Sequence, residues 1–124
     1  MHDNYIIGYD VNIKEKTLNI KIYDKVNKKE KNIYFFDVLT HSFKCILDYN
    51  QVLDINDYEM DCFISDNQAE LEKMQGYCWP TDYQNMKELK EFLIMNGYKY
   101  IKINSSYGMF GWVLAKSYRK NECI

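Results

Sequence analysis

The chain has 124 residues and a formal net charge of −2, and 47% of its residues are hydrophobic and 16% aromatic. This composition excludes a disordered protein and suits one domain with a real core, so we predict a single domain over residues 1–124. No apolar run is long enough to span a bilayer, and residues 1–4 lack the features of a signal peptide, which predicts a cytoplasmic protein with no membrane partner.

The first third of the chain predicts an antiparallel meander of three strands. Residues 5–13 alternate between apolar and polar side chains, and residues 18–23 alternate again after a short polar turn. Residues 33–39 are apolar on both sides, which is typical of a strand that is covered on both faces.

Residues 41–55 allow two interpretations. Residues 43–48 alternate and favour a strand, residues 49–50 form a turn, and residues 51–55 predict another short strand. A helix over residues 42–48 is the alternative, and the sequence leaves the choice open.

Two helices are predicted after this region. The first spans about residues 57–75, where Asn56 or Asp57 offers an N-cap and apolar residues recur at helical spacing opposite a row of acids. The second spans about residues 85–97, because Asn85 and Glu88 have the spacing of a capping box and Asn96-Gly97 offers a left-handed C-cap.

The chain ends in a predicted hairpin. Residues 98–104 alternate, residues 105–111 read as a glycine-bounded loop, and residues 112–115 begin a last strand. The predicted fold class is therefore α+β, with an antiparallel sheet of about 5–7 strands and two helices packed on one face of it.

The most unusual feature is the segment Cys45–Glu72, which carries only negative charge. It contains eight carboxylates and no Lys or Arg, so the rest of the chain carries +6. Such a segment indicates either a solvated helix face or a surface that attracts a basic partner. On the second interpretation, the candidate partner-binding residues are Asp54, Asp57, Tyr58, Glu59, Asp61, Asp66 and Trp79, with Tyr58 and Trp79 as aromatic anchors.

The sequence offers little support for other chemistry. His41 and Cys45 lack the further ligands that a structural zinc site needs, no nucleophile lies in a recognised motif, and the glycines at 108 and 111 do not form a phosphate loop. We therefore predict no metal, cofactor or catalytic residue. The lysines of residues 14–31 indicate a solvated loop, and we expect no nucleic-acid partner because the acidic segment would repel it.

Two segments carry a family resemblance. Phe36-Asp37-Val38-Leu39-Thr40-His41-Ser42-Phe43, followed by Asp54-Ile55, and the segment from Ser105 to Ala115 resemble small bacterial immunity proteins of polymorphic or contact-dependent toxin systems. About half of the chain is covered, and the sequence around Thr40, Lys44 and Cys45 departs from the expected acidic or His-rich pattern. The resemblance implies a cytoplasmic protein that binds and blocks one cognate toxin, often a nuclease domain.

Three functions remain for comparison. The first is a non-enzymatic protein-binding module of the immunity type, with a basic partner at the acidic surface. The second is a small hydrolase that holds a metal ion at the acidic cluster. The third is a structural or oligomerisation domain that self-associates through an exposed strand edge.

Overall fold

The structure is a computed structural model that describes residues 3–75 and 79–122. Its elements are β1 (Asn4–Asn12), β2 (Thr17–Asp24), β3 (Lys29–Lys44), β4 (Gln51–Tyr58), α1 (Met60–Met74), α2 (Met86–Met95), β5 (Lys99–Tyr107) and β6 (Phe110–Glu122). The predicted α+β class, with an N-terminal meander, two helices and a C-terminal hairpin, is confirmed. None of the helices in the described ranges is long and apolar enough to cross a membrane.

The six strands form a closed antiparallel barrel in the order β1-β2-β3-β6-β5-β4. The prediction of a sheet with helices packed on one face is therefore wrong in its architecture. Closure depends on β3, whose first half pairs with β2 while nearly its whole length pairs with β6. A positive φ of 52° at Asp37 and a register shift between Val38 and Thr40 interrupt the regular pairing midway along this strand.

The barrel closes at a short seam between β1 and β4. Among the described residues, the pairs there are Asn4↔Val52 and Tyr5↔Gln51, supplemented by a hydrogen bond of 2.8 Å from the Ile6 amide to the Asn50 carbonyl. Inward-facing residues of all six strands fill the interior, including Ile20, Phe35, Val52, Ile101 and Val113.

Both helices pack on the outside of the barrel. Phe63 and Leu71 of α1 and Leu89 and Leu93 of α2 form a second core with the outward-facing barrel residues Tyr100, Trp112 and Leu114. Strands β5 and β6 are therefore apolar on both faces where the helices cover them, because their inward residues line the barrel and their outward residues meet α1 and α2.

The local predictions had mixed outcomes. The Asn85 side chain accepts a hydrogen bond from the Glu88 amide at 2.9 Å, and Gly97 has a φ of 77°, so both predicted caps of α2 are confirmed. The N-cap of α1 was placed wrongly, because β4 continues to Tyr58 and Glu59 is the cap residue. The helical alternative for residues 42–48 is also wrong, since β3 continues to Lys44.

Candidate functional site

A cleft of about 770 Å³ lies between α1 and the outer surface of the barrel. Strands β3, β4, β5 and β6 form its floor and far wall, and one face of α1 forms the near wall. Trp112 lies in the floor and is 7% exposed, whereas Leu53 and Phe110 line the cleft with 42% and 44% of their surface exposed. The cleft thus combines a buried aromatic floor with accessible apolar side chains.

The α1 wall carries two carboxylates of the acidic segment. Asp66 and Glu70 are four residues apart, so they lie one above the other on the same face of the helix. The hydroxyl of Tyr100 donates a hydrogen bond to Asp66 over 3.0 Å. Burial raises the pKa of Tyr100 well above its usual value, and the bond to Asp66 raises it further, so the phenol stays protonated and remains a donor.

Two lysines from outside the acidic segment approach these carboxylates. Lys102 of β5 lies 3.4 Å from Asp66, and Lys44 of β3 forms an ion pair with Glu70. All four side chains are at least 31% exposed. The acidic segment lacks bases in sequence, but the fold supplies them from neighbouring strands.

Asp54 of β4 is the third carboxylate that lines the cleft. Its Oδ1 accepts a hydrogen bond from the Asn104 side chain at 2.7 Å, and the same amide group lies 3.1 Å from the Tyr58 hydroxyl. The Lys102 ammonium group lies 5.3 Å from the centre of the Tyr58 ring, which is a cation–π distance. This network connects the cleft to the end of β4.

The remaining predicted acids lie at the β4–α1 junction. Asp57, Tyr58, Glu59 and Asp61 line a shallower groove of about 420 Å³. Asp61 forms an ion pair with Lys90 of α2, and Asp57 accepts a hydrogen bond of 2.7 Å from the Tyr118 hydroxyl. Glu59 is exposed.

The structure therefore divides the predicted site. Asp54 and Asp66 line the cleft, and four other residues line the junction groove. Trp79 lines neither of these two grooves. Its ring centre lies 6.3 Å from those of Phe63, Tyr83 and Trp112, so the half-buried indole packs against the core between the helices and the barrel.

Sequence reasoning missed the basic half of the site. Lys44, Lys102 and Lys90 were not predicted to meet the acids, because their partners are distant in the chain. Glu70 and Phe110 were also not among the candidate residues. The alternation of polar and apolar residues in β5 places Lys102 and Asn104 on the face of the strand opposite to Ile101 and Ile103. This alternation is the feature of the sequence from which their position outside the barrel could have been predicted.

The carboxylates do not converge on a metal site. Within residues 3–75 and 79–122, no group of three or more His, Cys, Asp or Glu side chains is arranged to hold a metal ion. His41 lies in β3, and burial lowers its pKa, while Cys45 is exposed just beyond the strand.

The comparisons with known proteins found no relative of this chain. No family model matches the chain, and neither the curated proteins nor the solved structures contain a significant match. Over the described residues, the fold and site define an α+β protein with a closed six-stranded barrel, two external helices and a cleft of mixed charge between α1 and the barrel.

Proposed function

We propose that this chain is a non-enzymatic protein-binding module of the immunity type, which neutralises a basic toxin domain in the cytoplasm. One observation carries the proposal. The cleft presents Asp54, Asp66 and Glu70 beside the exposed apolar side chains of Leu53 and Phe110. Carboxylates next to accessible apolar surface suit a protein interface in which charge selects the partner and apolar contacts hold it.

The lysines in the cleft do not oppose this function. Exposed ion pairs contribute about 0–1 kcal/mol, so Lys44 and Lys102 are exchanged for partner side chains at little cost. An arginine from the partner forms two parallel hydrogen bonds with a carboxylate, which a lysine does not. A partner arginine that displaces an internal lysine therefore makes two directed hydrogen bonds in addition to the attraction between opposite charges.

The junction groove extends the same surface. Asp57, Glu59 and Asp61 add negative charge around Tyr58, which is 38% exposed. A nuclease domain is a suitable partner, because a surface that receives phosphates is basic and accepts a row of carboxylates in their place.

The test begins with capture of partners from a lysate of the source cells by the purified protein, followed by calorimetric titration of the purified partner. The cleft variant is Asp54→Asn/Asp66→Asn/Glu70→Gln, and the junction variant is Asp57→Asn/Glu59→Gln/Asp61→Asn. The matched control is Asp10→Asn/Glu15→Gln/Glu30→Gln, which removes the same charge from other exposed positions.

We expect the cleft variant to bind at least about tenfold more weakly, and the wild-type protein to lose affinity at high salt. The junction variant should show a smaller loss, and the control should bind as the wild-type protein does. Equal affinities of the cleft variant and the wild-type protein would contradict the role of the cleft. An equal loss of affinity in the control would show that binding depends on the net charge of the protein rather than on the carboxylates of the cleft.

A further inference from the structure

One lysine of the cleft already occupies a position that attracts a cation. The Lys102 ammonium group lies 3.4 Å from Oδ2 of Asp66 and 5.3 Å from the centre of the Tyr58 ring. A carboxylate beside an aromatic ring attracts a positive charge through both the ion pair and the cation–π contact. We call Asp66 and Tyr58 the cation cradle. In this structure, the cation that fills it comes from the chain itself.

Neighbouring side chains hold both parts of the cation cradle in place. The Tyr100 hydroxyl donates a hydrogen bond of 3.0 Å to Asp66, and Tyr100 is itself only 1% exposed. The Tyr58 hydroxyl lies 3.1 Å from the side-chain amide group of Asn104, and the Tyr58 ring centre lies 6.4 Å from that of Tyr100. A site that is fixed before binding loses little conformational entropy when its ligand arrives.

Lys102 uses only part of the hydrogen-bonding capacity of the cation cradle. Lys102 and Tyr100 both bond to Oδ2 of Asp66, and no hydrogen bond from the described residues reaches Oδ1. An ammonium group is a compact charge. A guanidinium group is planar, donates two parallel hydrogen bonds to one carboxylate and stacks on an aromatic ring. The cradle therefore suits a guanidinium group better than the ammonium group that it holds.

We infer that the cation cradle binds one arginine side chain of the partner, and that Lys102 is an internal competitor for this position. The inference rests on the proposed function of the cleft and names the side chain that enters it. A partner lysine would only replace one ammonium group by another, so the cradle selects arginine over lysine.

The exchange leaves the cleft attractive to a cation. The side chains of Lys102 and Asp66 are 31% and 42% exposed, so the flexible lysine stem can carry its ammonium group into solvent without disturbing the core. The other charged side chains that line the cleft are then Asp54, Glu70 and Lys44. With Asp66, three carboxylates face one lysine, and this excess of negative charge favours the incoming guanidinium group.

The test titrates the protein with three blocked tripeptides and follows backbone amide shifts by NMR. The probes are Gly-Arg-Gly, Gly-Lys-Gly and Gly-citrulline-Gly, in which citrulline is the uncharged analogue of arginine. We expect saturable shifts with the arginine peptide, centred on Tyr58, Asp66 and Lys102. The lysine peptide should bind at least about threefold more weakly, and the citrulline peptide should cause no saturable shift.

Substitution of Lys102 separates the competitor from the cradle. Lys102→Met keeps an apolar stem, removes the competing charge and should bind the arginine peptide at least about threefold more tightly than the wild-type protein does. The matched control is Lys21→Met, because Lys21 is another exposed strand lysine that pairs with an aspartate, Asp10, at 3.3 Å. The control should bind as the wild-type protein does.

Removal of either part of the cradle should have the opposite effect. We expect Asp66→Asn and Tyr58→Leu each to bind the arginine peptide at least about threefold more weakly than the wild-type protein does. Circular dichroism melting of each variant establishes that it is folded. Unchanged affinity in either variant would contradict the role of that side chain in the cradle.

Three further results would overturn the inference: equal affinities for the arginine and lysine peptides, no saturable binding of the arginine peptide to Lys102→Met, or equally tighter binding in Lys21→Met. The titration needs no toxin, so the two proposals fail separately. Arginine-selective binding together with a cleft variant that keeps wild-type affinity for the toxin would contradict the proposed function alone. Toxin binding that depends on the cleft, without selectivity for the arginine peptide, would contradict the inference alone.

Discussion

The Tyr100 hydroxyl donates a hydrogen bond to the Asp66 carboxylate over 3.0 Å, and this bond joins the barrel wall to the helix that covers it. Tyr100 is 1% exposed, so its ring belongs to the second core while its hydroxyl reaches the edge of the cleft. One side chain therefore connects the apolar packing of α1 to the polar wall of the proposed binding site.

Substitution of Tyr100 by Phe tests this connection. We expect the free energy of unfolding to fall by about 1 kcal/mol, because the carboxylate loses a donor while the ring keeps its packing. Urea denaturation followed by circular dichroism measures the change. Tyr107→Phe is the control, since Tyr107 is 56% exposed and should change stability by only a few tenths of a kcal/mol. Equal stabilities of Tyr100→Phe and the wild-type protein would show that the bond contributes nothing.

The same tyrosine predicts how stability depends on alkaline pH. Burial raises the pKa of Tyr100, and it also raises the pKa values of Tyr83 and Tyr118. The unfolded chain releases these protons near pH 10 while the folded protein retains them, so stability is complete below about pH 10 and falls above it. We expect the fall to be shallower in Tyr100→Phe. Parallel pH profiles of variant and wild-type protein, measured by urea denaturation, would contradict this prediction.

Asp24 predicts a loss of stability in acid. The side chain and the backbone of Asn27 donate hydrogen bonds to this carboxylate, Lys31 lies 3.3 Å away, and together they lower the pKa of Asp24 from 3.8 to about 2. The folded state thus binds this proton less readily than the unfolded state does. The stabilisation is present above about pH 4 and is lost as the pH falls towards about 2. In Asp24→Asn, we expect a smaller decrease in melting temperature across this range.

Gly108 is required for its backbone conformation. Its φ is 82°, and an added Cβ would lie 2.3 Å from Oδ1 of Asn50. We expect Gly108→Ala to lower the free energy of unfolding by about 2–4 kcal/mol in urea denaturation. Gly8→Ala is the matched control, because a Cβ there meets nothing within 4 Å, and it should change stability by less than about 1 kcal/mol. A similar small effect for both variants would exclude the predicted clash.

Asn50→Ala should loosen the loop without opening the barrel. The substitution removes the three hydrogen bonds that hold the amides of Leu47 and Met109 and the carbonyl of Leu47. We expect faster hydrogen exchange in residues 46–50 and at Met109, with a loss of about 2–3 kcal/mol in global stability because buried groups lose partners. Exchange in β2 should be unaffected under conditions where the protein stays folded. Unchanged exchange in the loop would show that other contacts fix it.

The sequence predicts the local features well because their causes are local. The cap of α2 depends on Asn85 and Glu88, which are three residues apart, and the first two strands of the meander follow from the alternation within residues 5–13 and 18–23. These elements need no knowledge of the rest of the chain.

Barrel closure and the charge balance of the cleft depend on distant residues. Asn4 meets Val52 at the seam, and β3 pairs with a strand that begins at Phe110. Lys44 and Glu70 are separated by 26 positions, and Lys102 and Asp66 by 36. The charged residues within the local window 45–72 are therefore all acids. The sequence around Trp79 likewise does not show which side of the indole packs against the core.

The pairing of β3 with β6 also has a consequence for synthesis of the chain on the ribosome. Residues 31–44 pair on one side with β6, which is the last strand of the described chain, and α1 packs on Trp112 and Leu114 from the same strand. Strand β3 and both helices therefore leave the ribosome before the β6 surface that they pack against has been made. Completion of this fold has to wait until β6 has left the exit tunnel, so the nascent chain carries an uncovered apolar helix face until then.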